Sequence, residues 1–376
     1  MGEQLPVEAQ ERPGEPKVEK LFKIMVRQGA SDMHIKFGQP PILRIGGVLR
    51  SLKSDPLTDA QIQKLFYEIL NPDQIKQFES VGSFDFAHEF EGGWRVRINI
   101  FRQRGHISSA VRLVQMKIPS YEDLHLPPIL SRIAETPVGL VLIVGATGSG
   151  KSTTLAAMIQ QINANRRCHI LTVEDPIEYS FPDGKSIVNQ REIGLDVPNW
   201  QSALKYAMRE NPNVILIGEM RDPDTLQAGL TAAETGHLVF GTLHAANAYQ
   251  AFTRILEMFP AEKHSMIRQG LAANLRAIVA QMLLPGAKEG VRLVPAVEVM
   301  LVNPAIRNYI AKGEDEKIAE VIRGGSGEGM QDMTAAIAKA VKEDLVLRKT
   351  ALEMAPNRER LEMELRGIQV GGKIVG

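Results

Sequence analysis

Val138-Gly139-Leu140-Val141-Leu142-Ile143-Val144 runs directly into Gly145-Ala146-Thr147-Gly148-Ser149-Gly150-Lys151-Ser152, with Thr153 next. The first seven residues are a short, apolar run rich in β-branched side chains, as a buried parallel strand requires. The following eight fill every fixed position of the phosphate-loop pattern G-x-x-x-x-G-K-[ST]. Ser152 to Asn165 then reads as a helix. In such a strand–loop–helix unit the glycines let backbone N–H groups close around phosphate oxygens, and the helix N-terminus adds partial positive charge. Lys151 reaches the outer phosphates and the Ser152 hydroxyl ligates Mg²⁺. The reading is an α/β fold that binds a nucleoside triphosphate.

Working outward, the chain has 376 residues, enough for two or three domains. Lys plus Arg equals Asp plus Glu at 44 each. A chain built mainly to hold nucleic acid carries a basic excess, and this one has none globally. The single cysteine, Cys168, rules out an internal disulfide and any multi-cysteine zinc site, and points to a reducing cytoplasm. No apolar stretch approaches the ~18–20 residues of a membrane-spanning helix. The N-terminus has no signal-peptide layout, and Pro6 stands where a myristoylation site needs Ser or Thr.

Residues 1–16 are polar, with Pro and Glu, and read as a disordered tail. Val18 to Arg27 has helical periodicity. Alternation over 31–37 and 42–45 predicts strands, and Gly46-Gly47 a hairpin turn before Val48. Residues 58–80 predict helices, and 83–90, 94–101 and 106–114 predict strands. An α+β domain with an antiparallel sheet is expected over 17–117. Residues 118–137, with four prolines, read as a linker holding a short helix from Pro127 to Glu135. From Val138, strands at 138–144, 169–173, 213–218 and 237–243 alternate with helices, which predicts a parallel sheet. After about residue 305 the pattern becomes helical, with a loop at Gly324-Gly325-Ser326-Gly327 and a frayed end at 371–376.

Each of these strands ends in polar residues, where open α/β sheets place their ligands. Strand 169–173 runs into Glu174-Asp175-Pro176-Ile177-Glu178-Tyr179. Hydrolysis of a nucleoside triphosphate needs a metal held and a water oriented, and these three carboxylates are candidates for both. Strand 213–218 ends in Gly218-Glu219-Met220-Arg221-Asp222, like a Walker B strand. Glu219 is the candidate for the magnesium shell, while Arg221 and Asp222 read equally well as partners of each other. His237 and His244 bracket strand 237–243 and, with Thr242, are candidates for sensing the γ-phosphate. A structural, hydrogen-bonded histidine is the alternative. Arg95, Arg97, Arg102, Arg104 and Arg112 crowd the last two strands of the first domain. They suit nucleic acid, a solvated face, or charge supplied across a boundary as an arginine finger supplies it.

The phosphate loop GATGSGKST, the box TVEDPIEY, the segment ILIGEMRD and the box HLVFGTLH occur in an order and spacing that resemble the type II/IV secretion ATPases. The resemblance covers roughly residues 17–365 and is strongest to the type IV pilus retraction (twitching-motility) branch. Extension ATPases of the family carry a further N-terminal domain and a four-cysteine zinc site. This chain starts close to the shared small domain, has one cysteine, and carries Ala305-Ile306-Arg307-Asn308-Tyr309-Ile310, close to the retraction motif AIRN(L). The resemblance implies a PAS-like domain over 17–117, a RecA-like P-loop ATPase core over 138–305 and a C-terminal helical segment over 306–376. It implies Glu178 as general base, with Glu174 and Asp175 beside it, Glu219 as the Walker B acid, and His237 and His244 in the histidine box. Arg97, Arg102 and Arg112 are implied as charge from the small domain. The implied assembly is a cytoplasmic homohexamer that hydrolyses ATP with Mg²⁺. It would work on an integral inner-membrane platform protein, with no nucleic acid partner and no membrane contact of its own. Hinge motion at the linker would drive pilin back into the membrane. Residues 305–310 are expected to couple turnover to that motion.

One departure stands out. The family reads D-P-D before the Walker B strand, and this chain has Asn211-Pro212-Asn213. A neutral Asn213 is expected to weaken magnesium binding. Three alternatives share the ATP domain: a RecA-type DNA motor, a non-hydrolysing ATP-binding ring, and an accessory retraction or other secretion-type ATPase.

Overall fold

The computed structural model describes residues 17–367. The expected tail at 1–16 and the frayed end at 371–376 lie outside the described residues. The chain divides into two compact units, with the break between Met116 and Lys117.

The first unit runs α1 (Lys17–Arg27), β1 (Asp32–Lys36), β2 (Ile42–Ile45), β3 (Val48–Ser51), α2 (Asp59–Tyr67), α3 (Pro72–Val81), β4 (Ser83–Phe90), β5 (Trp94–Gln103) and β6 (His106–Leu113). Its six strands form an antiparallel sheet in the order β3-β2-β1-β6-β5-β4. Alternation sorts the side chains by face. Met33, Ile35, Val96, Ile98, Ile100 and Val111 pack with Phe22, Ile62, Phe66 and Phe78 of the helices. Asp32, Arg97 and Arg112 stand on the other face. α2 and α3 each start with a capping box, Thr58 with Gln61 and Asn71 with Gln74. Each box satisfies amides that the first helical turn leaves unpaired.

The second unit runs α4 (Ile129–Ala134), β7 (Gly139–Val144), α5 (Lys151–Asn165), β8 (His169–Glu174), β9 (Ile187–Glu192), α6 (Trp200–Ala207), β10 (Val214–Ile217), α7 (Pro223–Glu234), β11 (Leu238–Leu243), α8 (Ala248–Glu257), α9 (His264–Asn274), β12 (Leu275–Pro285) and β13 (Leu293–Leu301). α10 (Pro304–Lys312), α11 (Ile318–Gly324), α12 (Met333–Lys342), α13 (Arg348–Met354) and α14 (Arg358–Leu365) complete it. Seven strands order as β13-β12-β7-β11-β10-β8-β9. All pairs are parallel except the antiparallel hairpin β12–β13. β7, β10 and β11 are buried at every position, as strands covered on both faces must be.

Three strands escape the sequence reading. β9 (IVNQRE) is a polar edge strand with no core pattern to reveal it. β12 follows α9 without a break and is apolar along most of its length, so periodicity does not separate it from helix. β13 depends on β12 for its pairing. The glycines at 325–328 form a single 3₁₀ turn rather than an open loop. In the proline-rich segment, Leu126, Ile129, Leu130, Ile133 and Ala134 pack into the core of the second unit with β7 and α5.

α10 shows what the 305–310 segment does locally. Asn303 caps it by accepting from Ile306 N, Pro304 opens it, and Gly313 closes it in the left-handed conformation. Ile306 and Ile310 are fully buried in the core, while Arg307 and Asn308 face outward. Ile306→Ala should therefore destabilise the protein by roughly 2–5 kcal/mol, the cost of a cavity in a packed core. Arg307→Ala should leave the denaturant midpoint unchanged. An unchanged midpoint in Ile306→Ala would contradict the packing.

Candidate active site

Parallel pairing brings the C-terminal ends of β7, β8, β10 and β11 to one edge of the sheet. A cleft of about 250 Å³ opens there, lined by Thr147, Gly148, Lys151, Ser152, Glu174, Asp175, Glu178, Glu219, Thr242 and His244. Trp200, Phe181 and Tyr179 close its sides.

The loop between β7 and α5 has no room for side chains at two of its glycines. Gly145 has φ +155, and a Cβ there would lie 2.4 Å from Ser149 Oγ and 2.5 Å from Gln281 O. Gly150 has φ +86, and its Cβ would lie 2.7 Å from Gln281 Nε2. Gln281, on β12, is 4% exposed and braces the loop: Nε2 donates to Ser149 O at 2.7 Å, and Thr154 Oγ1 donates to Oε1 at 2.7 Å. Sequence reasoning misses Gln281 because β12 itself is not legible. A polar residue amid an apolar run (LRAIVAQMLLP) is the one signal that marks it. Lys151 Nζ donates to the loop's own Gly145 O and Ala146 O at 2.9 and 3.0 Å. Burial lowers its pKa, against the pull of Glu219 and Glu178.

The three acids after β8 have different surroundings. Glu174 is buried, and its Oε1 accepts from Thr172 Oγ1 at 2.7 Å and Gln190 Nε2 at 3.1 Å. Burial pushes its carboxyl up to about 7. Asp175 and Glu178 are exposed to the cleft. Gln190, on β9, also escapes the sequence reading. It donates to Tyr179 O at 2.8 Å and accepts from Phe181 N at 2.8 Å, fixing the chain just after Glu178. Tyr179 OH meets Thr153 Oγ1 at 2.9 Å, tying this box to the phosphate-loop helix.

Glu219 pairs with Arg221 Nη2 at 2.6 Å and His244 Nε2 at 3.0 Å. Burial raises its pKa, but Arg221, His244 and Lys151 outweigh that, so the group lies below its ordinary value. Arg221 therefore pairs with Glu219 rather than with Asp222, which caps α7 by accepting from Thr225 N at 2.8 Å. Thr242 Oγ1 donates to Gly218 O at 2.6 Å and locks two strand ends together. Among the described residues, no group of three or more His, Cys, Asp or Glu is arranged to hold a metal alone. Ser152 and Glu219 in one cleft suit a Mg²⁺ that keeps several waters and takes other oxygens from phosphate.

Two expectations fail on strand direction. His237 precedes β11, at the opposite end from His244, and its Nδ1 bonds Ala232 O at 2.9 Å. The six strand residues between the two histidines hold them more than about 20 Å apart, so only His244 serves the cleft. Asn213 stands at the start of β10, where its Oδ1 accepts from His169 N at 2.9 Å, roughly 20 Å from Glu219. It lies outside any metal shell at this cleft. The arginines of the first unit also divide. Arg97 and Arg112 are cross-strand neighbours, and Arg112 Nε donates to Asp32 Oδ1 at 2.8 Å. Arg102 is on the helix face of β5, with its guanidinium 5.5 Å from the Phe78 ring.

These features define a P-loop ATPase. Residues 106–313 match the type II/IV secretion system protein family. The type IV pilus retractation ATPase PilT of Pseudomonas aeruginosa is 40% identical over 90% of this chain and 98% of its own length. The type IV pilus ATPase PilU of the same organism is 38% identical over 93% of this chain and 91% of its own length. The crystal structure of the pilus retraction motor PilT with bound ADP superposes with a TM-score of 0.84 at 40% identity, covering 93% of this chain and 99% of that one. The chain belongs to the type II/IV secretion ATPase family, alongside its pilus-retraction members.

Asn213→Asp should leave the Mg²⁺ dependence of hydrolysis unchanged, since the new charge is at the wrong end of the strand. A shifted magnesium titration would contradict this placement. Glu174 gives a second expectation, for nucleotide-free protein. The unfolded chain loses this proton in the ordinary carboxylate range, whereas the folded protein keeps it until about pH 7. Between those values the unfolded state binds fewer protons, so this group's contribution to stability falls as pH rises. Glu174→Gln should therefore gain melting temperature over the parent at about pH 8 and little at about pH 5. An equal gain at both would refute the buried, proton-retaining carboxyl.

Proposed function

We propose that this chain hydrolyses ATP to power type IV pilus retraction, and so twitching motility. In this reading it works as a homohexameric ring at the cytoplasmic face of the inner membrane. The ring acts on an integral platform protein and drives pilin disassembly. One observation carries the proposal: the match to a pilus retraction ATPase spans nearly all of both chains, and an ADP-bound pilus retraction motor superposes on this one. Among the described residues, no helix is long and apolar enough to cross a membrane, so attachment to the membrane would come from a partner.

In the proposed chemistry the backbone of Gly145–Gly150 cradles the phosphates. Lys151 exchanges its two loop carbonyls for the outer phosphate oxygens. Ser152 and Glu219 would hold a Mg²⁺, which would supply positive charge against that developing on the phosphates. Glu178 is the general base, because it is open to the cleft while both hydrogen bonds and burial engage Glu174. Asp175 helps order the water. His244, paired to Glu219, is placed to respond when the γ-phosphate leaves. Arg97 and Arg112 are the proposed source of further positive charge. Arg102, on the other face of that sheet, is a third candidate for the same role.

The test is a chromosomal deletion complemented with wild type, Lys151→Ala or Glu178→Gln, with ATPase rate, pilus length and twitching scored together. Lys151→Ala should abolish hydrolysis. Glu178→Gln should bind nucleotide normally while turnover falls about 10²–10⁴-fold. Both should leave long pili and no twitching. Normal twitching in the deletion strain would remove the retraction role. Normal hydrolysis in Glu178→Gln would pass the base role to another carboxylate.

A further inference from the structure

A buried carboxylate outside the cleft joins it to the C-terminal helices. Glu298, on β13, is 8% exposed and does not line the cleft. Its Oε1 accepts from the backbone N of Ala248, the first residue of α8, at 2.8 Å. The same carboxyl group also faces the backbone N of Met333, the first residue of α12. Each helix start presents amides without intrahelical partners and a partial positive charge. One buried carboxyl group thus bonds the start of α8 and faces the start of α12, two helices from unrelated parts of the chain.

What precedes each helix gives this contact its significance. Ala248 lies four positions after His244, whose Nε2 is 3.0 Å from Glu219 Oε1 in the cleft. The turn between them is short and fixed: Asn247 Oδ1 accepts from Gln250 N at 2.8 Å, and Ala246 N donates to Gln250 Oε1 at 3.2 Å. On the other side, Gln331 clamps the lead into α12 against β13. Its Nε2 donates to Val297 O at 2.6 Å, and its backbone pairs with Val299 in both directions. Asp332 caps α12 through Ala335 N at 2.9 Å and pairs with Arg360 of α14. Across the hairpin, Val297 stands opposite Gln281, the brace of the phosphate loop.

We propose that Glu298 is the positioning residue through which the state of the nucleotide cleft reaches the C-terminal helical segment. The inference rests on the cleft being the ATP site. When the His244 turn moves, the first turn of α8 moves with it. Glu298 cannot follow α8 without straining the α12 lead that Gln331 ties to β13 on either side of it, because parting from Ala248 N instead leaves a buried donor unpaired. The same bonds hold His244 in place against Glu219, so Glu298 also sets the geometry for turnover. A cap of purely structural use would stabilise both helices and transmit nothing.

Hydrogen exchange on the full chain separates these roles, with and without ADP or a non-hydrolysable ATP analogue. Protection of the loop at 146–153 reports nucleotide binding by itself, so failure of that reading shows there. In wild type, nucleotide should also change protection at Ala248–Gln250 and at Met333–Ala336. In Glu298→Gln, one oxygen becomes an NH₂ facing an amide donor. The variant should keep the loop protection, lose the nucleotide-dependent change at Met333–Ala336, and show kcat lowered about ten- to a hundredfold at unchanged KM. Glu298→Asp keeps the carboxyl group with a shorter reach and should fall between the two. A wild-type chain with no nucleotide-dependent change at Met333–Ala336 overturns the proposal whether or not the variants fold. So does a change that persists undiminished in Glu298→Gln.

Discussion

Everything at the cleft depends on the parallel register of β7, β11, β10 and β8. Val144 stands beside Leu243, Ile217 beside Gly241, and Val173 beside Ile217. The phosphate loop, the acidic box, the Glu219 turn and His244 therefore leave the sheet at one level. Hydrogen bonds beyond the strand ends keep them there: Gly145 N to Leu243 O, Gly218 N to Val173 O, and Met220 N to Thr242 O. A chain direction reversed in any one of these strands would move its chemistry to the far end, where Asn213 and His237 lie.

On that frame, buried polar side chains act as braces. Gln281 holds the phosphate loop, Gln190 the acidic box, Thr242 the Glu219 turn, and Glu298 the start of α8. Burying such a group is costly unless its bonds are satisfied, so each geometry is held firmly. The acids then differ by environment alone. Glu174 is dry and saturated, Glu219 is paired with cations, and Glu178 is open to water.

The C-terminal segment shows how a motif can combine packing and outward display. Ile306 and Ile310 face the core, which accounts for their hydrophobicity without reference to coupling. Arg307 and Asn308 face outward on the same helix and need no packing role. The residues that join this segment to the cleft lie elsewhere, on β13 and in the turn before α12.

The sequence by itself determined the strand–loop–helix unit, the main parallel strands, the antiparallel first unit and most of the cleft acids. Those features are local. The phosphate-loop pattern fixes backbone shape within eight residues, and a buried strand or amphipathic helix declares itself by its own period. Only the tertiary structure decided which end of a strand faces the ligand, and so parted His244 from His237 and Glu219 from Asn213. It also decided which face of β5 each arginine occupies, since that depends on pairing with β6 and on helices packed from elsewhere. Gln281, Gln190 and Glu298 were beyond sequence reading for the same reason. Each is a polar residue whose partners lie far away along the chain, and only the fold brings the two together.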